Sequence, residues 1–271
     1  ILRPNRSQIH PEFLFYLLSD NHKKGKTLGY QNKTTGIINL KLDSYLDSEI
    51  LVPSLDDQIR IAHLLGKVEG LIAQRKQHLQ QLDDLLKSVF LEMFGDPMRN
   101  VKHKISTLGP FIRHLTSGGR GWAKYYSLSG KRFIRSLDVQ MNRIGSEETV
   151  FVNPPHNKET ERTKIQSGDV LLTITGSKIG RVCYVPEAFE EAYVSQHVAI
   201  IRTEGINPIY LSFYLSMPTC GQRIINKQQY GQAKPGLNLT QISNFEILEP
   251  DISLQNQFAA IVEKVENLKS R

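Results

Sequence analysis

The chain has few cysteines and no long apolar segment. Only Cys183 and Cys220 occur among 271 residues, and they lack the spacing of a CxxC pair. Two isolated cysteines argue against a disulfide scaffold or a zinc site, and they fit a reducing, cytoplasmic setting. The longest apolar runs are too short to cross a bilayer, so we expect no membrane partner.

Signatures of catalysis are also missing. Asn153-Pro154-Pro155-His156 is similar to an adenine aminomethyltransferase motif, but His156 replaces the aromatic residue and no glycine-rich cofactor turn precedes it. No Asp or Glu stands two residues before a lysine, so the metal centre of many nucleases has no candidate. Gly25-Lys26-Thr27 resembles the end of a Walker A loop, but Asp20 occupies the position of its first glycine. We therefore predict a non-catalytic chain with no metal or cofactor of its own.

The most regular pattern is a heptad repeat between Pro53 and Pro97. Apolar residues recur every seventh position, and a second apolar set lies three residues later. The two sets are Leu65, Ile72, Leu79, Leu86 and Met93, and Val68, Leu82 and Val89. This spacing predicts a helix over 54–97, about 60 Å long at 1.5 Å per residue. Leu64, Leu71 and Leu85 widen the stripe, so we expect other protein to pack on this face.

The opening of this helix recurs near the end of the chain, at a constant offset of 197 positions. Pro53, Gln58, Ala62 and Lys67-Val68-Glu69 match Pro250, Gln255, Ala259 and Lys264-Val265-Glu266. We interpret the chain as a fragment holding two copies of one module. The predicted parts are the end of a first module (1–53), a long spacer helix (54–97), a second module (98–250) and the start of a second helix (251–271).

Positive charge is concentrated in the second module. The chain has a net charge of +7, and residues 98–250 alone hold 19 Lys and Arg against 12 Asp and Glu. The flanking segments sum to zero, and the spacer helix itself is acidic. A basic excess confined to one globular region is typical of a protein that binds a polyanion, most often nucleic acid.

The acid-free stretch 97–137 carries nine basic residues and is the strongest local signal. Within it, residues 117–126 combine glycines with Arg120, Lys124 and three aromatic side chains. Glycines permit close backbone approach, arginine can read guanine edges, and aromatic rings can pack on bases. In the alternative interpretation Trp122 belongs to the core and the glycines form a hairpin.

Two further acid-free loops, 22–36 and 220–236, occupy equivalent places in the two copies, which favours phosphate contact over a merely solvated loop. Lys178 lies in a glycine-bounded turn after a predicted strand, and this turn fits a phosphate cradle and a tight hairpin equally well. His197 follows Ser195-Gln196, and a lone histidine there is more often structural. The predicted DNA-binding residues are Arg120, Trp122, Lys124, Ser117, Tyr125, Lys178, Gln229, Tyr230, Lys234, Lys23, Lys24 and Lys26.

The remaining chain predicts a mixed α+β fold. We expect a short strand at 1–3, a helix over 11–19, a polar loop and a strand closing at Pro53. In the second module, alternating or densely apolar runs predict strands at 131–137, 149–153, 169–175, 181–185 and 193–203.

Taken together, these residues resemble one family, the DNA specificity subunits of type I restriction-modification systems. The resemblance spans essentially the whole chain and rests on the two helix openings (Pro53, Leu55, Gln58, Ile61; Pro250, Ile252, Gln255, Phe258), the helix end 91–97, and the segments 117–126, 168–180 and 194–198. It implies target-recognition domains of mixed α/β type that alternate with long antiparallel, coiled-coil-like helices. Each domain would read half of a bipartite double-stranded DNA target. The helices would dock methyltransferase subunits, joined by a restriction/translocase subunit, and these partners would carry S-adenosylmethionine, ATP and Mg.

Two other functions stay open at this point. A heptad seam with basic modules also fits a structural interaction protein that binds an acidic protein or RNA. The same recognition module also occurs fused to catalytic domains in combined restriction-methylation enzymes. Side-chain types alone do not define which bases are read or at what spacing.

Overall fold

The computed structural model describes residues 2–34, 37–99, 102–145, 148–229 and 236–270. It contains two compact units, Ile1–Gln80 and Gln81–Arg271. The helices are α1 (Pro11–Lys23), α2 (Leu42–Leu46), α3 (Leu55–Phe94), α4 (Lys158–Thr163), α5 (Pro208–Ser216), α6 (Gly221–Gln229), α7 (Leu239–Ser243) and α8 (Ile252–Lys269). The predicted module boundaries stay predictions, because the division between the units falls inside α3.

The strands are short and lie mostly in the second unit. They are β1 (Gln31–Thr34), β2 (Ile37–Leu40), β3 (Lys104–Thr107), β4 (Ile112–Ser117), β5 (Tyr126–Ser127), β6 (Lys131–Ile134), β7 (Val139–Gln140), β8 (Arg143–Ile144), β9 (Val150–Val152), β10 (Val170–Thr173), β11 (Val182–Tyr184), β12 (Ala192–Val194), β13 (Val198–Thr203) and β14 (Glu246–Glu249). The mixed α+β class is therefore confirmed.

The long helix α3 matches the heptad prediction closely and has 40 residues. The hydroxyl of Ser54 accepts a hydrogen bond from the backbone N–H of Asp57 at 3.2 Å and so caps the first turn. Gly95 follows the last turn with φ +80°, a left-handed conformation that favours glycine at a helix end.

The internal repeat is visible in the structure. Helices α2 and α7 share the offset of 197 positions, and so do the first residues of α3 and α8. In both copies a buried glutamine makes the same contacts: Gln58 accepts from His10 N at 2.8 Å and donates to Pro53 O at 2.9 Å. Gln255 accepts from Asn207 N at 2.8 Å and donates to Pro250 O at 2.8 Å. Each long helix is thus tied to its module by one amide.

The second unit is built around two four-stranded sheets. One is antiparallel with the order β11-β10-β13-β4, and the other has the order β12-β6-β9-β5. Helix α5 packs on the first sheet, and α8 packs against the end of α3 beside it. Phe258 of α8 lies 5.3 Å from Phe90 of α3 between ring centres, while Lys269 lies 2.6 Å from Asp83. A later residue of α8 therefore contacts an earlier residue of α3, so the helices are antiparallel here.

The predicted strand over 193–203 is two strands that belong to different sheets. β12 pairs with β6, whereas β13 pairs with β10 and β4. The residues between them, 195–197, are the point at which the chain passes from one sheet to the other. Continuous apolar character predicted the strand but not the change of partner, which depends on tertiary pairing.

Three expectations for the first unit are wrong. Leu2 and Arg3 are not in a strand, and the polar loop 22–36 contains a 3-10 helix (Lys26–Tyr30) and β1. No strand closes at Pro53, because 47–53 are irregular. In the second copy the equivalent residues form β14, which pairs with β3. The described residues of the first unit offer no such partner strand, so an extended segment there has nothing to pair with.

Candidate nucleic-acid interface

Four segments of the second unit meet at one end of the strands of the sheet β11-β10-β13-β4. The amide of Gly118 donates to Val198 O at 3.2 Å, and Ile174 donates to His197 O at 2.9 Å. Leu237 in turn donates to Ile174 O at 2.9 Å. We name this region, residues 117–120, 174–178, 195–197 and 236–237, the sheet edge. Antiparallel strands place the end of β4, the end of β10 and the start of β13 side by side, which the sequence alone could not show.

The loop that carries Arg120 is packed tightly from behind. A Cβ atom on Gly118 would collide with the backbone of Val194 and Ser195, so this position requires glycine for close approach. Arg162 of α4 donates to Ser117 O at 2.7 Å and also to the hydroxyl of Thr116. Sequence reasoning missed Arg162, because only the fold brings α4 to this loop.

Arg120 and Lys124 are the exposed cations of this loop. Neither forms an ion pair with a carboxylate in the part of the chain that the structure describes. The Lys124 ammonium lies 4.9 Å from the centre of the Tyr125 ring, and Tyr125 and Ser117 are half-buried. The two cations are therefore available to an anion, whereas a carboxylate that sequence reasoning missed, Glu159 of α4, lies against Gly119.

Trp122 occupies a different environment. It is 5% exposed and stacks on Phe133 with ring centres 5.2 Å apart, and Tyr193 lies at 5.4 Å. This burial favours the core interpretation over a base-stacking one. We therefore correct the role expected for Trp122: its ring anchors the Arg120 loop to the second sheet, because almost none of its surface is left for a base.

Lys178 lies half-buried on the turn between β10 and β11. Gly180 donates to Thr173 O at 3.0 Å and Thr173 donates to Arg181 O at 2.8 Å, so residues 174–179 form the loop of a β-hairpin. Lys178 belongs to the sheet edge although its turn is a hairpin. Contact between Lys178 and a phosphate stays a prediction.

Gly236, the first described residue after Gln229, lies at the sheet edge, since it pairs with Thr175. Gln229 is the last residue of α6, whereas Tyr230 and Lys234 lie outside the described residues. The other predicted contacts belong to the first unit: Lys23, Lys24 and Lys26 are exposed, and Lys24 pairs with Asp20 at 2.7 Å.

The acid-free stretch of the sequence is largely neutralised in three dimensions. Among the described residues, five of its nine cations form ion pairs with carboxylates outside the stretch: Lys104 with Glu249, Arg113 with Glu204, Lys131 with Glu191, Arg132 with Glu190, and Arg135 with Asp138. The count of charges along the sequence therefore overestimated how much of the stretch 97–137 is available to bind an anion. Arg120 and Lys124 remain as the cations best placed for a ligand.

Glu191 stabilises the second sheet through its negative charge. It accepts a hydrogen bond from the Tyr193 hydroxyl at 2.7 Å and pairs with Lys131 at 3.1 Å and Lys164 at 3.3 Å. The Tyr193 hydrogen bond, together with the two lysines, lowers the pKa of Glu191 from 4.5 to about 2. A folded-state pKa below the unfolded value adds stability above about pH 4.5, and this contribution disappears as the pH falls towards 2.

Replacing Glu191 with glutamine should therefore reduce the stability lost on acidification. The Glu191→Gln variant is expected to unfold at lower urea concentration than the original chain at pH 7, with the difference shrinking between pH 4.5 and pH 3. Urea midpoints measured by Trp122 fluorescence across this range test the prediction. If the urea midpoint of Glu191→Gln depended on pH in the same way as that of the original chain, the assigned role of Glu191 would be contradicted.

A polar cluster at the sheet edge was not recognised as a candidate site from the sequence. The hydroxyl of Thr175 lies 2.5 Å from Nδ1 of His197, and Nε2 of His197 lies 3.2 Å from the amide nitrogen of Gln196. Gln196 and His197 are both half-buried. The interruption of an apolar run by Ser195-Gln196-His197 was the available signal.

Within the described ranges, no three His, Cys, Asp or Glu side chains are grouped to hold a metal ion. No helix in that part of the chain combines the length and apolar character needed to span a membrane.

Comparison with known proteins shows where the chain belongs. Residues 131–271, slightly more than half of the chain, match the family model for the type I restriction modification DNA specificity domain. The type I restriction enzyme MjaVIII specificity subunit of Methanocaldococcus jannaschii is 23% identical over 94% of this chain, which spans 63% of that protein's length.

Solved structures share the fold. The type I restriction-modification S subunit from M. genitalium superposes with a TM-score of 0.59 at 15% identity, covering 98% of this chain and 68% of that one. A chain from a study of complex assembly and conformational transition of the type I R-M system gives 0.55 at 17% identity, covering 99% and 67%. The agreement of fold, repeat and family model leads to one conclusion: the chain belongs to the family of type I restriction modification DNA specificity domains.

Proposed function

We propose that this chain is a non-catalytic DNA specificity subunit of a type I restriction-modification complex, and that its second unit reads one half of a bipartite double-stranded target. The observation that carries this proposal is the placement of Arg120 and Lys124, exposed and free of described carboxylates, beside the sheet edge. Family membership and the basic excess of residues 98–250 support the same function.

The two cations suit different parts of a duplex. A guanidinium can donate two hydrogen bonds to O6 and N7 of guanine, whereas a lysine ammonium is a point charge suited to phosphate. Arg120 lies on a loop that Arg162 braces, so its backbone needs little ordering on binding and the main cost is the rotamer freedom of its exposed side chain. We therefore assign base reading to Arg120 and phosphate contact to Lys124.

The spacer helix supports the proposed partners. Leu64, Leu65, Val68, Leu71 and Ile72 are exposed on α3 in the first unit. An apolar stripe on an acidic helix suits contact with protein rather than with DNA. Methyltransferase subunits, and through them a restriction/translocase subunit, are the proposed partners, and S-adenosylmethionine, ATP and Mg would be bound by those subunits.

Replacing Arg120 with alanine tests the proposed reader directly. We expect Arg120→Ala to reduce discrimination at one base pair by about 1–3 kcal/mol, because a bidentate base contact is lost. The matched control is Arg113→Ala, since Arg113 lies on β4 and already pairs with Glu204 at 3.5 Å. Fluorescence anisotropy with labelled duplexes between 50 and 200 mM salt gives both affinity and salt slope.

The outcomes separate the two candidate functions. The proposed function requires salt-sensitive duplex binding by the unmodified chain, and a loss of preference in Arg120→Ala that Arg113→Ala does not show. Identical behaviour of the two variants would remove Arg120 from the reading surface. Absence of any duplex binding would favour the structural interaction protein, for which the exposed stripe on α3 already offers a surface.

A further inference from the structure

We infer that Gln196 is a second base-reading residue, and that His197 and Thr175 orient its amide to recognise adenine. This inference rests on the proposed function and extends it to a side chain and a base. Gln196 lies where the chain passes from β12 to β13, between the Arg120 loop and residues 174–178.

The main chain fixes Gln196 at the sheet edge from both sides. Its predecessor Ser195 pairs with Gly119 of the Arg120 loop, and the carbonyl of His197 accepts from Ile174 N at 2.9 Å. The reader Arg120 follows Gly119 directly. The side chains of Arg120 and Gln196 therefore start from adjacent, hydrogen-bonded segments, as two residues reading neighbouring base pairs would require.

The hydrogen-bond chemistry of the cluster assigns the imidazole tautomer. An amide nitrogen only donates, so Nε2 of His197, 3.2 Å from Nε2 of Gln196, must accept. In the neutral ring the proton then resides on Nδ1, which donates to the Thr175 hydroxyl at 2.5 Å. The Thr175 hydroxyl, which can donate or accept, accepts in this tautomer and holds the imidazole ring, while His197 holds one of the two amide hydrogens of Gln196.

The remaining groups of the Gln196 amide match adenine. One N–H and the carbonyl oxygen make no other hydrogen bond within the described residues. These are the groups that bind the adenine edge in the major groove, with the N–H donating to N7 and the oxygen accepting from the N6 amino group. Because a hydrogen bond already restrains the half-buried side chain, little rotamer freedom is lost on binding.

The alternative is a purely structural role, in which Gln196 only completes the polar network where the chain passes from one sheet to the other. A structural role would make the Gln196→Ala variant less stable without altering which bases are preferred. A reading role predicts loss of preference at a single position and leaves the other positions intact. Base preference therefore separates the two, with thermal unfolding as the check that each variant is folded.

The test begins with selection of duplexes from a random pool by the full chain, followed by selection with Gln196→Ala. The original chain should enrich a motif with one adenine whose preference falls by about 5- to 150-fold in the variant. Thr175→Val, which removes the hydroxyl, should weaken the same preference, whereas Thr175→Ser, which keeps it, should not.

A base analogue then probes the contact itself. Replacing that adenine with 7-deazaadenine removes N7, so the original chain should lose affinity while Gln196→Ala is indifferent to the change. Equal losses in both proteins, or an unchanged motif in Gln196→Ala, would overturn the inference and leave the proposed function standing. Salt-sensitive retention without any motif overturns both the inference and the proposed half-site reading, and absence of duplex retention overturns DNA binding altogether.

Discussion

Replacing Phe90 with alanine is expected to lower the free energy of unfolding of the second unit by about 3–5 kcal/mol. Phe90 is fully buried, and its ring centre lies 4.9 Å from Phe94, 5.3 Å from Phe258 and 5.7 Å from Tyr210. These rings come from α3, α5 and α8, so a cavity would form where three helices meet. Rigid aromatic neighbours on three sides would limit collapse of the site.

Trp122 makes this prediction measurable. It is the only tryptophan, and it belongs to the same compact unit as Phe90, so urea titrations followed by its fluorescence report unfolding of that unit. Leu85→Ala is the control on the same helix and in the same unit: its side chain is 48% exposed, and a change of less than about 1 kcal/mol is expected. Similar losses in the two variants would contradict the packing of α3 against α5 and α8.

The second large effect is expected at Asp169. Its carboxylate is fully buried and binds Arg202 through both oxygens, with Oδ1 2.7 Å from Nε and Oδ2 2.9 Å from the terminal guanidinium nitrogen. Gln166 N also donates to Oδ2 at 2.7 Å. Asp169→Asn would leave the guanidinium without its charge partner, at a cost of about 3 kcal/mol, near the lower end for a buried pair because Arg202 is partly exposed.

An exposed pair from the same unit supplies the comparison. Glu204 and Arg113 are separated by 3.5 Å and their side chains are 75% and 69% exposed. Glu204→Gln should therefore change the free energy of unfolding by less than about 1 kcal/mol. If Asp169→Asn cost no more than Glu204→Gln in the same titration, Asp169 would not be the buried anchor of β10 and β13.

Elements with a strong local period could be predicted from the sequence. The heptad spacing from Leu65 to Met93 predicted α3 almost to the residue, and the recurrence of Gln58 as Gln255 predicted two equivalent helix starts. Elements that depend on a partner could not. The segment before Pro53 resembles β14 in sequence but is irregular, because a strand forms only where another strand pairs with it.

The candidate interface was predictable only in part. The glycines beside Arg120 were predicted to permit close backbone approach, and in the structure Gly118 lies against the backbone of Val194 and Ser195, while the contact of this loop with DNA stays a prediction. Local charge did not show that Lys131 and Arg132 are paired with Glu191 and Glu190, which are about 60 residues away in sequence. The sequence also could not show that Gln196 lies at the same sheet edge as Arg120, because their proximity depends on the register of β4 against β13.

The sheet edge is proposed to read DNA sequence. The most direct measurement is selection of duplexes from a random pool by the full chain, in parallel with the Arg120→Ala variant. We expect the original chain to enrich one short motif with affinity that falls steeply with salt, and Arg120→Ala to lose preference at one position of that motif. Enrichment of the same motif by both proteins, or retention of no duplex by either, would contradict it.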